Sequence, residues 1–118
     1  MSRKFTIYPS NYIKASLYST PQGATYVFNI REVAPETYNF MCQSVLLPDG
    51  TEKYLHNEVD VTFKLVDGEP YIISGWHIGT SDFDFDEGDS WDDCVEYYHP
   101  GITQQVLERI KNNDYEHH

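Results

Sequence analysis

Polar and apolar residues alternate along much of the first two thirds of the chain, and the period lengthens near its end. Val59-Asp60-Val61-Thr62-Phe63-Lys64-Leu65 alternates without a fault, the pattern of a half-buried strand. Asp67-Gly68 follows, a dipeptide suited to a type I′ turn because both central residues there need positive φ. Tyr71 to Gly79 (Tyr-Ile-Ile-Ser-Gly-Trp-His-Ile-Gly) is then the return strand. It is apolar on both faces, as for a central strand covered on both sides. Upstream, Tyr26, Phe28 and Ile30 alternate with Thr25, Asn29 and Arg31, Val27 being the exception. Tyr12 to Ser19 and Ala24 to Val33 flank Thr20-Pro21-Gln22-Gly23, where Pro second and Gly fourth suit a type I turn. A helix over Asn11 to Leu17 competes for the first arm. Lys4 to Tyr8 reads as a short strand stopped by Pro9, and Tyr38 to Leu47 as a strand ended by Pro48-Asp49-Gly50.

Past residue 90 the spacing turns helical. Ser90-Trp91-Asp92-Asp93 fits a capping box with Asp in place of Glu. Trp91, Cys94, Val95 and Tyr98 recur on one face. Pro100-Gly101 breaks this helix. Thr103 can cap a second, with Ile102, Val106, Leu107 and Ile110 as its buried stripe and Arg109 and Lys111 in its last turn. The expected fold is α+β: one domain over residues 1–118, a five- or six-stranded antiparallel meander with two C-terminal helices packed on one face.

Composition adds compartment and charge. Aromatic residues make up 15% of the chain and ten of them are Tyr, which argues for an ordered core. No run of eighteen apolar residues and no signal-peptide pattern is present. A cytoplasmic protein is expected, with Cys42 and Cys94 as buried thiols. Glu116 to His118 are set aside as the remnant of a purification tag. Residues 1–64 balance six acids against six bases, so the net charge of −11 lies entirely in residues 65–118. Such a field repels nucleic acid and anionic membrane and attracts cations or basic proteins.

That charge concentrates in TSDFDFDEGDSWDD, Thr80 to Asp93, with seven acids in fourteen residues. As a calcium loop, Asp82, Asp84 and Asp86 take positions 1, 3 and 5 and Asp93 takes position 12. Against this, Glu87 stands where the loop needs Gly, the last ligand is Asp rather than Glu, and no helix enters. As a strand, Asp82, Asp84 and Asp86 project from one face, and Phe83 and Phe85 anchor the other. Glu87, Asp89, Asp92, Asp93 and Glu96 carry the charge into the first helix.

A row of carboxylates at strand pitch resembles, in charge pattern, the DNA-mimic inhibitors and the small acidic immunity proteins that block nuclease toxins. The resemblance implies a basic protein partner and no direct nucleic-acid binding. The interface then comprises Asp82, Asp84, Asp86, Glu87, Asp89, Asp92, Asp93 and Glu96, with Trp91, Tyr97 and Tyr98 as aromatic anchors if exposed. Two alternatives stay open: an accessory domain, able to dimerise, whose acids only solvate it, and weak calcium or metal binding through Asp82 to Asp93.

Other chemistry has less support. Cys94 and His99 with Asp92 and Asp93 could form a nucleophile set, but Cys94 falls on an apolar stripe and nearby acids raise a thiol pKa. His77, Asp82 and His99 could meet a transition metal, without the usual ligand spacing. No phosphate loop, nucleophile elbow or zinc cysteine pattern is present. The hairpin Val59 to Ile78 resembles the long curved hairpin of cystatin-like or NTF2-like domains, which carry their long helix first. The sequence therefore points to a non-enzymatic protein needing no cofactor.

Overall fold

The structure, a computed structural model, describes Tyr12–Ile13 and residues 25–79 and 81–117. Its elements are β1 (Tyr12–Ile13), β2 (Thr25–Phe28), β3 (Arg31–Ala34), β4 (Thr37–Leu46), β5 (Glu52–Val66), β6 (Glu69–Ile78), β7 (Phe83–Phe85), a π-helix (Asp92–Glu96) and α1 (Ile102–Lys111). One sheet runs in the order β2-β4-β5-β6-β7, with β3 also on β4 and β1 on β5. All pairings are antiparallel except that of β1 with β5.

The β5–β6 hairpin forms as its sequence dictates. Asp67 and Gly68 both take positive φ, 55° and 80°, the demand of a type I′ turn. Along β5 the odd positions Leu55, Val59, Val61 and Phe63 are buried, while Glu58, Asp60 and Thr62 face the opposite way and are only half-buried. The strand expected over Ala24 to Val33 is divided into β2 and β3, which lie end to end along β4. Pro35-Glu36 makes the turn into β4, with Glu36 at φ 56° and its N–H held by Glu32 Oε2 at 3.1 Å.

Four expectations change. The expected hairpin of Tyr12 to Ser19 with Ala24 to Val33 is not made by the described part of its first arm: Tyr12 and Ile13 pair with Tyr54 and Leu55 instead. The turn Thr20 to Gly23 and the strand Lys4 to Tyr8 lie outside the described residues. The first helix is one short π-helical segment, closed by the Tyr97 N–H on Asp92 O at 2.8 Å. The second starts at Gly101, whose φ of 89° places it in the left-handed region, so Thr103 is not its N-cap residue. Glu116 belongs to the fold: its carbonyl accepts from the Glu32 N–H at 2.7 Å and its N–H donates to Ile30 O at 2.8 Å.

Trp91, Val95, Ile102 and Val106 of the C-terminal third are buried in the same core as the inward residues of β4 and β5. Trp91 sits 5.0 Å from Phe63 and 6.4 Å from Phe40, ring centre to ring centre. Ile102 and Val106 are fully buried, whereas Leu107 lines an outer groove. Tyr26 joins β2 to α1, its hydroxyl donating to Pro100 O at 2.8 Å and its N–H to Gln105 Oε1 at 2.9 Å. Arg109 donates to Phe28 O and lies over the Phe28 ring at 4.8 Å, so one of the two cations in the acidic half is spent inside the fold. No described helix is long and apolar enough to cross a membrane.

Gly75 is where β6 is squeezed between its neighbours. A Cβ there would meet Asp60 O at 2.2 Å and the Phe85 ring at 2.8 Å, at φ 153°. Gly75→Ala is expected to lower the unfolding free energy by about 2–3 kcal/mol, measured by urea denaturation. An unchanged midpoint would mean that β6 and β7 can separate freely.

Candidate functional site

The acidic run begins at the β6–β7 connection. Two contacts fix that loop: Asp82 Oδ1 accepts from the Gly79 N–H at 2.9 Å, and His77 Nδ1 lies 2.5 Å from Ser81 O. β7 then pairs with β6, placing Phe83 against His77, Asp84 against Trp76 and Phe85 against Gly75. Phe85 is buried, Phe83 half-buried and Asp84 exposed, so the expected alternation holds over three residues. Asp82 lies in the loop before it, and Asp86 opens the turn after it. In that turn the Asp86 N–H donates to Asp89 Oδ2 at 2.7 Å, the Asp89 N–H returns to Asp86 O at 3.0 Å, and the Gly88 N–H reaches Ile72 O at 2.9 Å. Asp82, Asp84, Asp86 and Glu87 are exposed; Glu87 accepts a long bond from Tyr71 Oη at 3.4 Å.

The second half of the run goes elsewhere. Ser90 caps the π-helix by accepting the Asp93 N–H at 3.2 Å, one half of a capping box. Glu96 turns its carboxylate to the start of α1. It accepts from the Gly101 N–H at 2.7 Å, the Thr103 N–H at 3.2 Å and the Thr103 hydroxyl at 2.5 Å. Thr103 Oγ1 in turn accepts the Trp91 indole N–H at 2.7 Å. Trp91 is only 7% exposed, so the exposure that an anchor role requires is not met: the indole is part of the core and its polar end is committed. Glu96 caps the helix rather than standing free. Asp92 and Glu96 border a groove of about 560 Å³ with Leu107, Glu108 and Lys111, separate from a recess of about 420 Å³ lined by Trp76, His77, Ile78, Asp82, Phe83 and Asp84. Asp82 and Asp84 thus line one recess and Asp92 and Glu96 another groove, rather than sharing one face. Tyr97 is 60% exposed, while Tyr98 is half-buried with its ring 4.1 Å from that of His77.

Two histidines meet in the interior. His77 and His99 are fully buried with ring centres 6.3 Å apart. His99 Nε2 lies 3.3 Å from Asn57 O, and neither His77 Nε2 nor His99 Nδ1 has a hydrogen-bond partner. Burial pushes the His99 pKa down to about 3 and lowers that of His77, against the opposing pull of Ser81 O and Asp82. Asp82, sent to the Gly79 N–H, does not complete a ligand set with them. Among the described residues no three His, Cys, Asp or Glu side chains are grouped to hold a metal ion, the candidates Asp82, Asp84, Asp86 and Asp93 included. Cys94 is half-buried, its thiol pushed up by burial and then by Asp89 and Asp93. Cys42 is buried and pushed up to about 12 by that burial. Both thiols are free.

Sequence reasoning missed Asp60 and Trp76. Asp60 stands opposite Trp76 in the β5–β6 register, and Asp84 stands on the other side of Trp76. Only strand register could have found this, since the three residues are spread over twenty-four positions. Compared with models of protein families, with curated proteins and with solved structures, the chain matches none.

Two outcomes follow from the geometry. Removing the carboxylate in Glu96→Ala should cost about 2 kcal/mol of stability, read by chemical denaturation; no loss would return Glu96 to the free acids. For His99, the unfolded side chain protonates near its ordinary 6.5 while the folded one stays neutral to about 3. Stability is therefore complete above about 6.5 and falls as pH drops from there toward 3, by up to about 1.4 kcal/mol per pH unit. Thermal unfolding from pH 7 to 4 should show a shallower decline in His99→Gln than in the native protein.

Proposed function

We propose that the protein is a cytoplasmic, non-enzymatic binding module that occludes the basic site of a nucleic-acid-binding or nuclease protein, as phage anti-defence and toxin-immunity proteins do. The observation that carries this reading is the exposed set Asp82, Asp84, Asp86 and Glu87 around a strand anchored by Phe83 and Phe85. The ion pair among the described residues joins Arg109 to Asp114, at 3.2 Å, and leaves these four acids without a cation of their own. Trp91, Val95, Ile102 and Val106 are turned into the core, so in this reading the partner approaches from the side of β7 and the opposite face. Asp92, Asp93 and Tyr97 border that surface at most, and Trp91 and Glu96 act from inside the fold.

Order is the feature that favours a site over mere solvation. Side-chain to backbone bonds at Asp82 and Asp89 hold the loop and the turn on either side of β7. A backbone held in this way offers its carboxylates to lysine and arginine groups with less further loss of freedom than a disordered run would. The field of a chain with net charge −11 speeds the encounter, and salt weakens it.

Affinity capture from lysate of the source organism, at low and high salt, tests the reading. The native protein should retain a basic nucleic-acid-handling protein at low salt, with affinity falling at least about tenfold at high salt. Asp82, Asp84 and Asp86 changed together to Asn should lose it, since Asn keeps size and the Gly79 contact while removing charge. Equal retention of the same partner by both proteins would refute the acidic strand as the site.

A further inference from the structure

The sheet face turned away from the helical segments carries a row that the acidic run alone does not explain. Asp60, Trp76 and Asp84 are paired successively across β5, β6 and β7. Directly paired residues in antiparallel strands present their side chains on one face, about 4.5–5.5 Å apart at Cβ. The indole is thus flanked by a carboxylate on each side. Met41 extends the row beyond Asp60 on β4 and is 44% exposed. Ile78, also on β6, is 46% exposed and pairs with Glu58.

The groups of this row are unequal in what they already bind. Asn39 Nδ2 donates to Asp60 Oδ1 at 3.1 Å, and is itself positioned by Val61 O and Thr62 Oγ1. Asp60 is therefore aimed, and among the described residues its second oxygen accepts no hydrogen bond. Among the described residues the side chains of Trp76 and Asp84 make no ring contact, hydrogen bond or ion pair. This contrasts with Trp91, whose ring is in the core and whose N–H is committed to Thr103. A half-buried indole with no ring stacked on it among the described residues, in a recess that Asp82 and Asp84 also line, offers a flat π-system inside a negative field.

The chemistry that fits both features is planar and cationic. A guanidinium stacks on an indole and directs its N–H donors in its own plane, where carboxylates on either side of the ring accept them. An ammonium answers the charge but has no plane. We propose that Trp76, between Asp60 and Asp84, is the receptor for an arginine side chain of the basic partner. The inference rests on the acidic-face reading above and names the group that face recognises.

The test uses the whole protein with octa-arginine and octa-lysine peptides as probes, at low and equal ionic strength. The chain has two tryptophans, so two indole N–H resonances report by ¹⁵N NMR, assigned with Trp76→Phe. Octa-arginine should shift the Trp76 signal and leave that of Trp91 in place. Its Kd should lie about tenfold below that of octa-lysine. Trp76→Leu should abolish the preference and bind both peptides at the octa-lysine level. Equal affinity for the two peptides with an unmoved Trp76 signal would overturn the arginine receptor while sparing the acidic face. Binding of neither peptide would remove both. Movement of the Trp76 signal with protein concentration alone would make the occupant a second copy of the chain, and would also overturn the proposal.

Discussion

The alternation along β5 is the constraint on which the remaining structure depends. Val59, Val61 and Phe63 are wholly buried in the core that Trp91, Val95, Ile102 and Val106 share. Phe63 and Phe40 together receive Trp91, and Trp91 brings the π-helix and the start of α1 with it through Thr103. Since successive strand residues point to opposite faces, the same burial sends Glu58, Asp60 and Thr62 to the far side. A one-residue slip would invert both faces at once. Gly75 marks how closely β6 and β7 are held to this strand, because its hydrogen stands where any side chain would strike Asp60 O and Phe85.

Within that frame the acids divide by role. Glu96 is an intramolecular cap, and Ser90, Asp82 and Asp89 close local turns. Asp84, Asp86 and Glu87 are exposed around β7. A sequence that places eight acids within fifteen residues thus uses some as substitutes for backbone acceptors and leaves the others to the solvent side. Charge density along the chain overstates charge density on any one surface, because helix and strand geometry point neighbours in different directions.

Much of the sheet was legible because its signals are local. Asp67-Gly68 specifies its own turn, and β5 displays its faces in its own alternation. Phe83 and Phe85 announce which side of β7 is anchored. The helical stripe was legible at Trp91, Val95, Ile102 and Val106, all buried. What was not legible depends on distant partners. The role of Glu96 requires Thr103, seven positions on, and the closing of a π-turn rather than an α-turn. The pairing of Tyr12 and Ile13 with Tyr54 and Leu55 spans forty-two residues, and an adjacent turn motif pointed to a nearer strand. His77 and His99 were grouped in the sequence only as metal candidates with Asp82, whereas the fold brings the two rings together in the interior without it. Asp60 and Trp76 carry no local mark as a pair.

The contact of Glu116 with Ile30 and Glu32 has a consequence for assembly. Strand edges expose unpaired N–H and C=O groups, and a long open edge invites growth by addition of further strands from other molecules. Here the backbone of Glu116 occupies the edge beside β3. At the other margin, β7 is three residues long and is bordered by aspartates at both ends. Beside β3 the edge is occupied and at β7 it is short and charged, so both places oppose the addition of strands from other molecules.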